Sequence, residues 1–211
     1  VFQSRSIPSQ VLRPGCFQGV DLVFFDASDA VSAEWAPQAV EAGAWVIDNS
    51  GAFRLKKDVP LIVPEVNAHL LKGLKQKLIA GPNCTTVQLV LPLKAISDRW
   101  GLKRVVVSTY QSVSGAGSKA IEELRTQTKS YLRDEPFTPI EFPHPIAFNC
   151  IPQVGRFVED DETSEEMKVY FEAQKILGLP HLKLTAHCVR VPTISCHAEF
   201  VNVETQKTFE L

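Results

Sequence analysis

The chain has 211 residues, 45% of them hydrophobic and 22% charged, with a formal net charge of −2 at pH 7. That length buries a sizeable core, as one large domain or two small ones. The near-neutral balance gives no electrostatic reason to expect nucleic acid or an anionic membrane as partner, and no bilayer-spanning run or secretory signal is read. Five cysteines (Cys16, Cys84, Cys150, Cys188, Cys196) are an odd, dispersed set. Such usage points to reduced thiols and a cytoplasmic protein rather than to a disulfide scaffold.

Residues 1–20 are polar and punctuated by Pro and Gly, and Val1-Phe2-Gln3-Ser4-Arg5 starts without Met, so a fragment or excised piece is expected. Asp21 to Ala27 is a continuous apolar run, the pattern of a strand buried on both faces. Ser32 is positioned to cap a helix over Ala33 to Ala42 that Gly43 ends. Strands are predicted at Trp45 to Asp48, Leu61 to Pro64 and Leu78 to Ala80. Strands alternating with helical stretches predict a parallel sheet with crossover helices, whose ligands gather at the strands' carboxyl ends. Arg54 would lie there; it reads either as a phosphate or carboxylate donor or as a surface arginine.

Gly81-Pro82-Asn83-Cys84-Thr85-Thr86 is a strand-to-helix turn. A cysteine there meets the positive end of a helix dipole and unpaired N–H groups, which favour a thiolate. The same N–H groups suit an oxyanion. A small buried residue at a helix start is the competing reading, and this stretch alone leaves both open.

Beyond it, Lys103 to Tyr110 has the alternation of a strand covered on one face. Gln111 to Gly117 is a glycine turn feeding a helix from Ser118 to Leu132, where backbone N–H groups could meet a phosphate or amide. Residues 134–145 read as loop, Ile146 to Ile151 as a strand and Glu159 to Glu162 as a solvated acidic loop. A helix from Ser164 to Leu177 is predicted, with Ser164 as N-cap and Gly178 as C-cap. Two strands close the chain, from Leu182 to Val191 and from Cys196 to about Val203. Arg190 and Cys188 share a strand face, and His197 opens the next strand. A reactive Cys wants a His to hold its proton, and an anionic substrate wants an Arg fork. His187, Cys188, Cys196 and His197 form two adjacent pairs; adjacent strand residues face opposite ways, so no metal site is assigned. Glu166 and Lys168, two apart on a helix, do not face one direction and read as solvated charges on spacing alone.

Together these stretches resemble aspartate-semialdehyde dehydrogenase. The resemblance rests on Val46 to Arg54, Val59 to Asn67, Pro82 to Thr86, Tyr110 to Gly117, Glu166-Met167-Lys168 and the Cys188 to His197 run, including the seven-residue step from Arg190 to His197. It implies an α/β plus α+β fold. A partial Rossmann-type dinucleotide-binding domain over 1–81 would precede a catalytic and dimerisation domain over 82–211, similar to that of glyceraldehyde-3-phosphate dehydrogenase. The implied reaction is NADPH-dependent reductive dephosphorylation of L-4-aspartyl phosphate to aspartate semialdehyde, on the route to lysine, threonine and methionine, by a homodimer. Cys84 would be the nucleophile, His197 the general acid/base and Gln111 the orienting residue. Asn83 and the Cys84 backbone would support the oxyanion, and Arg190 and Glu166 would hold the substrate's carboxylate and ammonium. Arg54 and Lys168 would bind phosphate, and Ser114, Gly115, Ala116 and Gly117 would line the nicotinamide site.

Against the family pattern, no glycine-rich turn precedes residue 21 and the chain stops at Leu211. Asp26-Ala27-Ser28-Asp29 stands where small residues and glycines are usual. Weak NADPH binding by the isolated chain is therefore expected. Competing readings are an inactive or fragmentary paralogue acting in dimerisation, a glyceraldehyde-3-phosphate dehydrogenase, whose pattern fits the Arg190 to His197 run poorly, and an N-acetyl-glutamyl-phosphate reductase, whose cysteine turn is usually Gly-Cys.

Overall fold

A computed structural model describes residues 6–158 and 161–209; of the predicted acidic loop, Glu159 and Asp160 lie outside the described residues. The chain divides into two compact units, Val1–Leu61 with His69–Gly81, and Ile62–Ala68 with Pro82–Leu211.

In the first unit, β1 (Leu22–Phe25), β2 (Trp45–Asp48) and β3 (Leu78–Ala80) form a parallel sheet in the order β1-β2-β3. Helix α1 (Asp29–Glu41) makes the crossover from β1 to β2, burying Ala36 and Ala39. The expected parallel α/β layer is therefore present, with local differences. Among the described residues β1 stands at one end of this sheet, and its Phe24 is 67% exposed. The N-cap of α1 is Ser28, which accepts from the Val31 N–H, and Ser32 lies buried inside the helix. Asp29 in the first turn complements the dipole and moves the start one turn earlier than expected. Leu61 makes only an isolated bridge to Ala80 instead of opening a strand. Pro60 and Pro64 lack the N–H a ladder needs, and Pro64 begins the short helix α2 (Pro64–Asn67).

The second unit contains α2, α3 (Cys84–Trp100), β4 (Leu102–Gln111), α4 (Ser118–Tyr131), α5 (Ser164–Leu177), β5 (Lys183–Arg190) and β6 (His197–Thr205). Its sheet runs β5-β4-β6, with β4 parallel to β5 and antiparallel to β6. Helices α3 and α5 pack on each other and on this sheet through Leu89, Val90, Leu93, Val169, Ala173 and Ile176. On the open face Phe200 is 68% exposed and pairs in register with Ser108, as does the exposed His187 from the other side. Val113, Ala120, Leu124, Ile146, Ala147 and Ile151 form a further buried cluster under α4.

Ile146 to Ile151 does not form the expected strand. The Ile146 and Ala147 N–H groups donate to Oε1 of Gln127 on α4, and Ile151 alone bridges to Arg190. A side-chain amide thus takes the place of a neighbouring strand. Helix α5 is capped by Thr163 rather than Ser164, through a capping box with Glu166, and Gly178 ends it in the left-handed conformation with φ 67°. Among the described residues no helix is long and apolar enough to cross a membrane.

Candidate active site

The site is built on the head of α3. Asn83 is the N-cap, with extended backbone at φ −61° and ψ 149°. Its Oδ1 accepts the Thr85 N–H at 2.9 Å and the Thr86 N–H at 3.3 Å, satisfying donors every helix start leaves open. Cys84 follows as the first helical residue, and its Sγ lies 3.4 Å from Nε2 of His197.

Strand pairing delivers the other residues. Gln111 at the end of β4 is in parallel register with Arg190 on β5 and in antiparallel register with His197 on β6. Three residues far apart in sequence thus stand in one row across the sheet. The backbone of Ser112 ties two of them, since its N–H donates to His197 Nδ1 at 3.1 Å and its carbonyl accepts from Arg190 at 2.6 Å. An amide N–H can only donate, so Nδ1 is an acceptor and the neutral ring carries its proton on Nε2, facing the sulfur. Arg190 is buried, its guanidinium 6.0 Å from the Phe142 ring centroid. Burial lowers its pKa, and the nearby Glu165 carboxylate opposes that.

Glu165, which the sequence reading passed over, is the hub of the site. Its Oε1 accepts from Asn83 Nδ2 at 2.9 Å, Gln111 Nε2 at 3.1 Å and Thr85 Oγ1 at 3.2 Å, and its Oε2 pairs with Lys168 Nζ at 3.4 Å. Burial pushes this carboxyl's pKa up, but Lys168 and the hydrogen bonds from Asn83 and Gln111 outweigh burial and hold it below the ordinary range. Glu166 is not part of this cluster. Its Oε2 closes the capping box with Thr163 at 2.7 Å and its Oε1 accepts the Cys188 N–H at 3.1 Å. Lys168 therefore faces Glu165, three residues back, and not Glu166. The missed signal was periodicity: Glu165 and Glu172 lie on the same stripe of α5 as Val169, Ala173 and Ile176, where an unpaired charge would not be tolerated.

The thiol also differs from expectation. Partial burial of the sulfur, and next the Glu165 carboxylate, push the Cys84 pKa up, against the hydrogen bonds of Thr85 and the helix-head N–H groups. Ser114 to Gly117 fall in and just after a short 3₁₀ turn, Val113–Ala116, hung by N–H bonds from Val113 and Ser114 to the carbonyls of Thr193 and Ile194. A Cβ on Gly115 would stand 3.0 Å from an Arg190 nitrogen and 3.4 Å from the His197 ring, so this turn passes flush against both. Arg54 belongs to the first unit. It is 8% exposed, and it donates Nε–H to the Gly81 carbonyl at 2.9 Å and a terminal N–H to the Asn49 carbonyl at 2.6 Å, tying the loops that follow β3 and β2. Asp29, expected to oppose a pyrophosphate, accepts the Gly51 N–H at 2.7 Å in the same unit. His187 is exposed and Cys188 buried, on opposite faces of β5.

A thiol facing an imidazole at a helix head, with a buried amide and a guanidinium beside it, can attack a carbonyl bearing an anionic group. The chain is similar in sequence and in structure to known proteins. Residues 93–211 match the family described as semialdehyde dehydrogenase, dimerisation domain, and residues 3–74 match semialdehyde dehydrogenase, NAD binding domain. The aspartate-semialdehyde dehydrogenase of Aquifex aeolicus is 49% identical over 92% of this chain and 58% of its own length. Aspartate semialdehyde dehydrogenase II of Vibrio cholerae, complexed with ASA, superposes with a TM-score of 0.89 at 45% identity, over 92% of this chain and 58% of that one. The Candida albicans enzyme with NADP gives a TM-score of 0.63 at 26% identity, over 90% and 52%. The chain belongs to the semialdehyde dehydrogenase family, and it spans about three-fifths of the length of the curated relatives it matches.

Proposed function

We propose that this chain carries the catalytic machinery of an aspartate-semialdehyde dehydrogenase. That enzyme converts L-4-aspartyl phosphate to L-aspartate 4-semialdehyde by reductive dephosphorylation. The observation that carries the reading is the 3.4 Å approach of Cys84 Sγ to His197 Nε2 at the head of α3, in a chain 49% identical to a protein of that name.

Cys84 attacks the acyl phosphate, and the sulfur–carbon bond replaces the carbon–oxygen bond to phosphate. A nicotinamide cofactor held beside Ser114 to Gly117 would supply the hydride that reduces the thioester, and the carbon–sulfur bond then breaks to release the aldehyde and return the Cys84 thiol. His197 handles the proton on the carbonyl oxygen as general acid/base, and Gln111 orients the reacting groups. Asn83 keeps one amide proton beyond the one given to Glu165 and, with the Cys84 N–H, supports the oxyanion. Arg190 receives the substrate carboxylate. Its ammonium goes to Glu165, the carboxylate that clusters with Asn83 and Gln111, in place of Glu166. Lys168 binds phosphate; Arg54, the other phosphate residue that the family resemblance names, stands in the first unit with its guanidinium on the Gly81 and Asn49 carbonyls. Each charge on a small zwitterionic acyl phosphate thereby meets one of opposite sign.

The glycine turn Ser114 to Gly117 is assigned to the nicotinamide, because Gly115 brings its backbone beside the Arg190–His197 pair with no side chain of its own. NADP is the preferred form, by analogy with the Candida albicans enzyme. The exposed face bearing Phe200 and Tyr110 suits a second copy of the chain, giving a homodimer in the cytoplasm. The partial dinucleotide-binding domain is assigned to 1–81 and the catalytic and dimerisation domain to 82–211, although Ile62–Ala68 packs into the second compact unit.

The decisive experiment assays phosphate-dependent NADP reduction with aspartate semialdehyde, using the full gene product and its Cys84→Ser variant. The substitution is expected to remove activity by about a thousandfold or more. Activity that survives it rules out the thioester route.

A further inference from the structure

Helix α5 presents two carboxylates to a single residue of the cysteine turn. Glu165 takes the Asn83 side chain through Nδ2 at 2.9 Å, and Glu172 takes the Asn83 main-chain N–H at 2.7 Å. Seven residues apart, the two glutamates lie on one face of the helix, separated by about 10.5 Å along its axis. Asn83 is thus gripped at both ends while its Oδ1 caps α3. Glu172 is 1% exposed. Burying a carboxylate is costly unless it is paired. Lys175 lies one turn further on, its pKa lowered by burial and raised again by Glu172.

The grip has a direct geometric consequence for the next residue. Cys84 follows Asn83, so the plane of the Pro82–Asn83 peptide and the torsions of Asn83 set where the first helical N–H groups and Sγ point. The Cys84 and Thr85 N–H groups favour the thiolate, and they do so only while aimed at the sulfur. We propose that Glu172 is a positioning residue of the active site, holding the Asn83 peptide so that Cys84 Sγ stays aligned with the helix-head N–H groups and with His197. The requirement is for an acceptor at the right reach, not for charge.

Cys84 carboxamidomethylation by iodoacetamide, followed by mass spectrometry in the full gene product, tests this across pH. The proposal deepens the reading of Cys84 as nucleophile. Alkylation needs neither substrate nor cofactor, so it can fail while the dehydrogenase reading stands, and loss of Cys84-dependent turnover would leave it intact. Glu172→Ala removes the acceptor, and Glu172→Asp keeps the charge but withdraws the oxygen by roughly 1.5 Å, one C–C bond. Glu172→Gln keeps an oxygen at the original reach. Both shortened variants are expected to react about tenfold more slowly at pH 8, with the pH midpoint of alkylation moved up, and Gln is expected to restore the rate to within about threefold. The other groups facing the sulfur, Glu165 from α5, Arg190 from β5 and His197 from β6, are unchanged in all three, so a midpoint moved in Glu172→Asp, which keeps the carboxylate's charge, reports the backbone donors. If Glu172→Ala does not fold, the comparison of Asp with Gln decides. An unchanged midpoint in Glu172→Asp, or a Gln variant as slow as Asp, overturns the proposal.

Discussion

Cys84 and His197 stand 113 positions apart in the chain and meet with 3.4 Å between Sγ and Nε2. The sulfur also lies in the field of the Glu165 carboxylate, which adds to partial burial in raising its pKa. A raised thiol pKa means a smaller thiolate fraction at neutral pH, so alkylation of Cys84 is expected to rise through a midpoint above that of an ordinary cysteine. Glu165→Gln removes the opposing charge, so its midpoint should move down and the rate at pH 7 should increase. Cys188, buried and pushed up to about 12, should remain unmodified throughout. Peptide mapping after a timed pulse of iodoacetamide reads both thiols at once.

The same two helix positions separate site from scaffold. Glu165→Gln is expected to lower kcat/KM by about a hundredfold, since one carboxylate serves Asn83, Gln111 and Lys168. Glu166→Gln touches the capping box and the Cys188 N–H, and should cost about 1 kcal/mol of stability with little change in KM. Steady-state kinetics with thermal unfolding of both variants distinguishes them. Equal losses of activity would return the ammonium site to Glu166.

Gly115→Ala tests how closely the glycine turn runs against the reactive row. The added methyl would stand 3.0 Å from an Arg190 nitrogen, which must move although it is held by the Ser112 carbonyl. A drop of about tenfold in kcat/KM, close to 1.4 kcal/mol, is expected with an unfolding midpoint near that of the parent protein. Unaltered kinetics would show that the guanidinium has slack.

The tautomer of His197 can be observed without any assay of activity. Nitrogen-15 spectra of histidine-labelled protein at high pH should show a protonated Nε2 and a bare Nδ1, because the Ser112 N–H occupies the latter. A proton found on Nδ1 would mean that this hydrogen bond is absent in solution.

Much of this architecture is legible in the sequence because it is local. The β2 run and the Asn83-Cys84 helix start each announce themselves within a few residues, through apolar continuity or capping chemistry. The row of Gln111, Arg190 and His197 depends on register between three strands, and no spacing rule predicts that Cys84 meets His197. A run such as Leu22 to Phe25 likewise does not say how many strand neighbours it has. Ile146 to Ile151 misled because an apolar run reads as a strand whenever its hydrogen-bond partner, here Gln127, is a distant side chain. Glu165 was legible and missed. Its place on the apolar stripe of α5 marked it, whereas its spacing from Lys168 was judged from the wrong neighbour.

The backbone of Ser112 contributes an N–H to His197 and a carbonyl to Arg190, and neither depends on the serine side chain. Every amino acid except proline can offer both. Position 112 is fully buried, and the serine hydroxyl adds contacts of its own, to Ser114 Oγ at 3.0 Å and His197 Nδ1 at 3.4 Å. Part of the site's alignment is therefore stored in the path of the main chain, beneath the side chains that carry the chemistry. A substitution at position 112 that fits the space would remove the hydroxyl's contacts and leave the two made by the peptide groups in place.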